Sequence, residues 1–430
     1  MTNFQSPRGT QDIFYEENKK WEFLEQLIKD FASVYHLKLM RTPVFEHTEV
    51  FKRGNDSSDV VNKEMYTFED KGGRSLTLRP EGTAGLMRAY VEHKLYADPE
   101  IVSKFYYVGP NFRYERPQKG RMRIHHQFGV EYLGAKNPFM DAEVIYLGVS
   151  FINQLGLTQC KVLINALGDE ASRLSYREVL KDHFKDHVSE LCADCQRRYE
   201  QNPLRILDCK VDTEHPSLIN APLLQSVLTD ESKAYFKAVC DQLTDLGIEW
   251  EVSDRLVRGL DYYSETVFEV VSTSENMGSQ STIFGGGRYD HLVEYFNGPS
   301  RSGVGFGMGI ERLLVACEAE GVEFDVSDDV DIYVLSLSDA QSQVQQVALW
   351  LRTQGFKVEY DLANRSKNSL FKAVERSKAR VLVFVTQEGF DTSTVNVKQA
   401  GSSTSKDVSI EALIEHVDHL LSHGHDHCDH

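Results

Sequence analysis

Arginines set among carboxylates and amides are the chemistry-bearing residues of this chain, and they fall in separated clusters. The densest lies in residues 104–134, KFYYVGPNFRYERPQKGRMRIHHQFGVEYLG. Between residues 111 and 123 there are five basic side chains and one acid, in a protein of formal net charge -18. Period-two alternation makes this two strands joined by the loop Arg116-Pro117-Gln118-Lys119-Gly120. On the second strand Met122, Ile124, His126, Phe128, Val130 and Tyr132 share one face. Arg121, Arg123, His125, Gln127, Gly129 and Glu131 share the other. The first strand repeats the split, with Phe112 and Tyr114 opposite Arg113 and Glu115. A sheet with one apolar and one wet face accounts for the alternation. It does not account for a wet face that carries Arg, Gln and Glu around a gap at Gly129. Planar guanidinium forks suit phosphate oxygens, and an inward Glu and Gln suit a small polar ligand. The hairpin is therefore expected to hold a polyphosphate.

Other segments offer matching groups. Arg79-Pro80-Glu81-Gly82-Thr83 precedes a helix, where Glu81 complements the helix dipole and could also hold a ligand ammonium. Arg258-Gly259-Leu260-Asp261-Tyr262-Tyr263 leads into a strand, placing a cation and two phenols at its start. Residues 303–312, GVGFGMGIER, alternate glycine along a strand and end on Arg312. A dinucleotide fingerprint begun at Gly305 would need glycine where Ile310 stands, no βαβ unit surrounds it, and there is no Walker A sequence. Alternate glycines instead let something flat lie against the backbone. Cys192-Ala193-Asp194-Cys195 with Cys209 and His215 offers a zinc tetrahedron. Its second half lacks the close pairing of a zinc knuckle, so free buried cysteines are the expectation there.

The elements that must position these groups are legible from periodicity. Residues 16–36 form an amphipathic helix with Trp21, Leu24, Leu27, Ile28, Phe31 and Val34 on one face. A strand follows near 38–45 and carries Pro43, which suits only an edge, an end or a bulge. Residues 64–79 read as a hairpin turned at Lys71-Gly72-Gly73, and a helix runs from there to about Leu95. Residues 138–155 are helical and 160–166 a strand. From 168 to 248 the pattern is helical, charged and less regular, an inserted subdomain in a catalytic domain spanning 1–325. Residues 329–422 alternate strands at 330–336 and 380–386 with helices near 339–354 and 366–377, an α/β unit. At 430 residues with 41% hydrophobic and 26% charged side chains, this is ordinary soluble globular composition. No apolar run suits a membrane helix or signal segment, and seven cysteines do not make a disulfide framework. A cytoplasmic protein is expected, with no membrane contact. The acidic balance disfavours indiscriminate nucleic-acid binding but allows a local basic patch aimed at one RNA.

The motifs together resemble the histidyl-tRNA synthetase family of class II aminoacyl-tRNA synthetases. The resemblance is carried by PRGTQDIF at the start, TLRPEGTAG at 77–85, FRYERPQKGR at 112–121, RGLDYY at 258–263, FGGGRYD at 284–290 and GVGFGMGIERLL at 303–314. It implies an α+β catalytic domain on a mainly antiparallel sheet, an inserted helical subdomain and a C-terminal α/β anticodon-binding domain. It implies activation of L-histidine with ATP to histidyl-adenylate, then transfer to the 3′ end of tRNA(His). By resemblance, Arg113 and Arg312 hold the α- and γ-phosphates with Arg121 assisting, and Arg258 is the catalytic arginine beside Arg113. Glu81, Gly82 and Thr83 face the histidine ammonium. Glu131 and Tyr263 take the imidazole nitrogens, with Gln127 and Tyr262 completing the pocket. Arg116 and Gln118 read the tRNA acceptor end. Magnesium is expected only with ATP, without an assigned protein ligand and without any tightly bound cofactor. A homodimer is implied, its interface built by residues 16–45.

The chain departs from the family where His125 stands in place of the aromatic ring that stacks on adenine. The last hundred residues match more loosely. From 357 to 380 they carry seven basic residues and three acids, which suits an RNA-facing surface or a solvated one, and the tail HGHDHCDH is expected to be disordered. A catalytically inactive, histidine-binding regulatory paralogue is the alternative implied by the same resemblance. Such proteins lack the anticodon domain and have lost catalytic residues that this chain keeps.

Overall fold

The computed structural model describes residues 4–52, 60–98, 102–209, 211–254, 256, 262–277, 281–324 and 329–423. The chain divides into two compact units, Met1–Phe324 and Asp325–His430. In the first, the alternating segments assemble an eight-stranded sheet. Its order is Lys38–Leu39, Ser103–Phe112, Ile124–Gly134, Ser302–Gly309, Thr282–Tyr289, Ser264–Ser272, Cys160–Gly168 and Trp250–Val252. The inner pairings are antiparallel and only the two edge pairings are parallel. This is the mainly antiparallel sheet expected from the sequence.

Alternation along Ile124–Gly134 decides what each face of that sheet does. Phe128, Val130 and Tyr132 enter one apolar core with Trp21, Leu24, Ile28 and Phe31 of the helix Tyr15–Val34 and Phe151 of the helix Pro138–Gln154. Each such side chain removed from water contributes ~1.5–3 kcal/mol. The residues between them, Gln127, Gly129 and Glu131, are left on the opposite face. The helix Pro138–Gln154 starts where Asn137 Oδ1 accepts from Phe139 N at 3.0 Å with Pro138 in the first turn.

Two local expectations change. The single strand foreseen near 38–45 is two, Lys38–Leu39 on the large sheet and Phe45–His47 on a separate three-stranded sheet. Pro43 lies between them, where it has no N–H to give a ladder and the chain changes sheet. The small sheet is completed by the foreseen hairpin, Tyr66–Glu69 with Ser75–Leu78, turned at Gly73 with φ +74. The second strand of the long hairpin begins at Ile124 rather than Arg121. Arg121 and Arg123 therefore belong to the connecting loop, where Gln118 and Arg121 form an isolated bridge.

Within the segment foreseen as inserted, Tyr176, Leu180, Phe184, Cys195, Ile206 and Leu224 form a core of their own. The helix Asp230–Asp245 instead sends Val239 and Leu243 into the main core. The second unit has a five-stranded sheet in the order Val358–Tyr360, Ile332–Leu335, Val381–Phe384, Thr394–Gln399 and Lys406–Ser409. Its first three strands are parallel and the last two antiparallel. Helices Gln341–Thr353 and Lys367–Ser377 stand where the periodicity put them. The tail from residue 424 on lies outside the described residues, and His423 ends the last helix.

Candidate active site

On the face of the large sheet away from the core, buried polar groups form a connected row. Glu131 is 1% exposed and receives two hydroxyls: Thr83 Oγ1 donates to Oε1 at 2.6 Å, and Tyr289 OH donates to Oε2. The buried Tyr107 lies beside Thr83 and the two acids. Glu81 accepts from Thr83 N at 2.6 Å and Ala84 N at 3.0 Å, capping the helix Thr83–Glu92. Burial pushes the Glu131 carboxyl up to about 8, and the Glu81 charge adds to that. Two buried acids side by side, beside phenols, favour a cationic or N–H-rich ligand. Tyr262 and Tyr263 close the row, with ring centroids 4.8 Å apart and Tyr262 5.7 Å from Tyr289.

The alternating glycines have a specific use here. Register places Gly305 opposite Glu131 and Gly307 opposite Gly129. A Cβ on Gly305 would collide with the Glu131 carboxylate, and one on Gly307 would come within 2.7 Å of the Gln127 amide. A Cβ on Gly129 would strike the Tyr107 ring. The flat groups lying against this backbone are therefore the neighbouring strands' own side chains. Gln127 is held in turn by Asn111, whose Nδ2 donates to Gln127 Oε1 at 2.8 Å. Asn111 Oδ1 is buried with no hydrogen-bond partner among the described residues.

Farther along the same strands the charge changes sign. Burial, then the charges of Arg113, Arg312, His126 and Arg121, hold His125 well below the usual imidazole range. His125 is thus a neutral ring inside a cluster of guanidiniums. Glu115, 8% exposed, pairs with Arg121 and lies 4.0 Å from Arg113. Arg113 Nε donates to the Pro80 carbonyl at 2.8 Å, tying this cluster to the Glu81 segment. The helix Ile310–Glu320 begins as the glycine strand ends, so Arg312 reaches back to the Gly120 and Thr282 carbonyls, each at 3.3 Å. Its neighbour Glu311 accepts from His126 N and Nδ1, anchoring helix to strand.

The structure thus brings together Glu81, Gly82, Thr83, Gln127, Glu131, Tyr262 and Tyr263 at one end, and Arg113, Arg121, His125 and Arg312 at the other. Arg116 and Gln118 are exposed on the loop between the strands. Arg258 lies outside the described residues, as does Asp261. Sequence reasoning missed Tyr107, Tyr289, Asn111 and Glu115 as members of the site. Tyr107 had one readable signal, since it faces Gly129 in the hairpin register. Tyr289 stands in the FGGGRYD motif, but nothing local paired it with Glu131, 158 positions away. The arginine of the GGGRYD motif is not a ligand-facing group. Arg288 is wholly buried on Asp141 and supports the sheet from behind.

A family model described as histidyl-tRNA synthetase matches residues 9–313, and one described as an anticodon binding domain matches residues 331–420. The chain belongs to the histidyl-tRNA synthetase family. The histidine–tRNA ligase of Bacillus subtilis (strain 168) is 48% identical over 413 residues, covering 96% of this chain and 97% of that one. That of Anoxybacillus flavithermus is 46% identical over 422 residues, covering 97% and 100%. The crystal structure of apo S. aureus histidyl-tRNA synthetase matches with a TM-score of 0.83 at 39% identity, over 96% of this chain and 100% of that chain. A Bacillus halodurans structure described as an ATP phosphoribosyltransferase regulatory subunit/histidyl-tRNA synthetase shares the fold alone, with a TM-score of 0.62 at 20% identity. The catalytic sheet and the C-terminal domain are those of the histidyl-tRNA synthetase fold. Among the described residues no helix is long and apolar enough to cross a membrane.

Proposed function

We infer that this chain is a histidine–tRNA ligase, an aminoacyl-tRNA synthetase that uses ATP to activate L-histidine and then loads it on tRNA(His). One observation carries the reading: the strand Ile124–Gly134 carries Glu131, with the buried Glu81 beside it, at one end and His125 among guanidiniums at the other. Such a surface suits an amino acid with an imidazole at one end and a nucleoside triphosphate at the other. Imidazole is read through Glu131 and Tyr263, with Gln127 and Tyr262 packed beside them. A substrate without matching N–H groups would forgo charge-assisted hydrogen bonds in a buried polar site, which makes the discrimination steep. Glu81 and the Thr83 hydroxyl face the α-ammonium.

In the first step a histidine carboxylate oxygen attacks the α-phosphorus of ATP. The bond from that phosphorus to the β-phosphate oxygen breaks, and pyrophosphate leaves with its electrons. Arg113 and Arg312 hold the phosphates, Arg121 assists, and Arg258 offsets charge growing on the α-phosphate. Positioning and charge stabilisation of this kind are the main contributions a protein makes to phosphoryl chemistry. Neutral His125 offers adenine a flat ring without adding charge. Magnesium enters as the counter-ion of ATP. In the second step a terminal ribose hydroxyl of tRNA attacks the activated carbonyl and AMP leaves, with Arg116 and Gln118 on the exposed loop guiding the acceptor end. In the second unit Arg365, Lys367, Lys372, Arg376 and Lys378 are exposed near the exposed Phe371, a basic and aromatic surface suited to anticodon bases. We place the enzyme in the cytoplasm, as a homodimer. The exposed apolar side chains Val34, Leu39, Val44 and Phe45, the last against the exposed Phe68, support an interface built by residues 16–45.

Histidine-dependent exchange of pyrophosphate into ATP tests the reading. Exchange with histidine alone is expected, whereas binding of histidine without exchange would leave the regulatory paralogue as the better account.

A further inference from the structure

We propose that Cys192, Cys195, Cys209 and Asp212 form a structural zinc site in the inserted segment. Their donor atoms all lie within 4.8 Å of one another, and among the described residues no other group of three or more such donors converges in this way. Two of the six edges match those of a metal tetrahedron. With Zn–S of ~2.3 Å and Zn–O of ~2.0–2.2 Å, two sulfurs should stand ~3.8 Å apart and a sulfur and oxygen ~3.6 Å apart. Cys192 Sγ and Cys209 Sγ are 3.8 Å apart, and Cys209 Sγ and Asp212 Oδ2 are 3.5 Å apart. A disulfide would need its sulfurs at ~2.05 Å, so the pair is spaced for a shared ion and not for a bond.

Sequence reasoning had looked for the fourth corner at His215. The structure uses that imidazole elsewhere: Nδ1 faces Ser217 Oγ at 2.8 Å and Nε2 faces Glu190 at 3.4 Å. Asp212, three residues after Cys209, takes its place. Two like pairs result, C-x-x-C at 192–195 and C-x-x-D at 209–212, each contributing one edge. Around them the backbone is arranged for anionic ligands. Asp212 N donates to Cys209 Sγ at 3.3 Å, and Cys192 N donates to Asp212 Oδ2 at 3.0 Å, the kind of outer hydrogen bonding that fixes metal ligands. Three thiolates and a carboxylate in a closed tetrahedron select zinc over magnesium or calcium. The ion would staple the start of the helix Ala193–Gln201 to the turn after Pro203–Asp208. The core there is small, so a cross-link of this kind adds stability that burial alone supplies poorly.

The tail residues HGHDHCDH can also hold metal, so the test must separate the two. Full-length enzyme without an affinity tag is purified as wild type, Cys192→Ser/Cys195→Ser, and Cys428→Ser, and its zinc is measured by mass spectrometry. Chelator-treated protein is then titrated with cobalt(II), and thiolate-to-cobalt charge-transfer absorption is followed. One zinc per chain is expected in the wild type and in Cys428→Ser, with the cobalt band present in both and absent from the double variant. The titration of metal-depleted wild type needs no variant to fold, and Asp212→Asn should weaken cobalt binding at least ~10-fold. Zinc and cobalt signals that survive the double variant, that vanish with Cys428→Ser, or that never rise above background would overturn the site.

Discussion

Glu131→Gln should make the free enzyme relatively more stable as the pH rises, while abolishing its use of histidine. Burial holds the Glu131 carboxyl at about 8, against 4.5 for the ordinary side chain. The folded state therefore keeps a proton that the unfolded chain releases near 4.5, and stability falls as pH climbs through that window. Across it each pH unit is worth ~1.4 kcal/mol, and glutamine does not titrate. Between about pH 6 and about pH 8, the stability of the variant relative to wild type should rise by ~2 kcal/mol. Thr83 and Tyr289 hydroxyls can each turn to meet an amide, so no partner is stranded. The assay is urea unfolding of the first unit, read by Trp21 and Trp250 in a Trp350→Phe background. The same burial links proton release to substrate. An imidazole N–H donated to Glu131 favours its ionised form, so histidine affinity should rise toward about pH 8 in wild type. Parallel pH profiles for the two proteins, or a difference that shrinks with rising pH, would refute the reasoning.

Gly305→Ala drives a methyl into the Glu131 carboxylate and should raise KM for histidine by ~10-fold or more with a smaller change in KM for ATP, measured by pyrophosphate exchange. Arg113→Ala and Arg312→Ala each remove a phosphate-facing donor and should lower kcat by ~10²–10³, which steady-state exchange rates check. Arg288→Leu leaves the buried Asp141 without its guanidinium counter-charge and should cost on the order of 3–5 kcal/mol. Denaturant midpoints of the first unit should drop accordingly, and rescue in an Asp141→Leu background would confirm the pairing.

Period-two alternation sufficed to put Gln127, Gly129 and Glu131 on the face opposite Phe128, Val130 and Tyr132, because a strand leaves no other choice. Helical stripes were equally plain, as at Trp21, Leu24, Ile28 and Phe31. What stayed hidden was pairing at a distance. Tyr289 with Glu131 and Arg288 with Asp141 join segments 158 and 147 positions apart, and no local pattern encodes strand order. The glycine alternation at 303–309 was visible, but its use was not, since the side chains it admits come from the facing strand. Pro43 announced a strand end without saying that the chain would pass to a second sheet. In the cysteine cluster free cysteines were the expectation, with His215 as the candidate fourth donor; the structure gathers Cys192, Cys195 and Cys209 with Asp212 instead.

Aminoacylation of tRNA by wild type and Arg258→Ala, with each proteinogenic amino acid offered in turn, tests the central claim most directly. The account predicts charging with histidine only, and for Arg258→Ala a kcat lowered by ~10²–10³ with KM for histidine little changed. Charging with another amino acid, or an Arg258→Ala enzyme as fast as wild type, would contradict it.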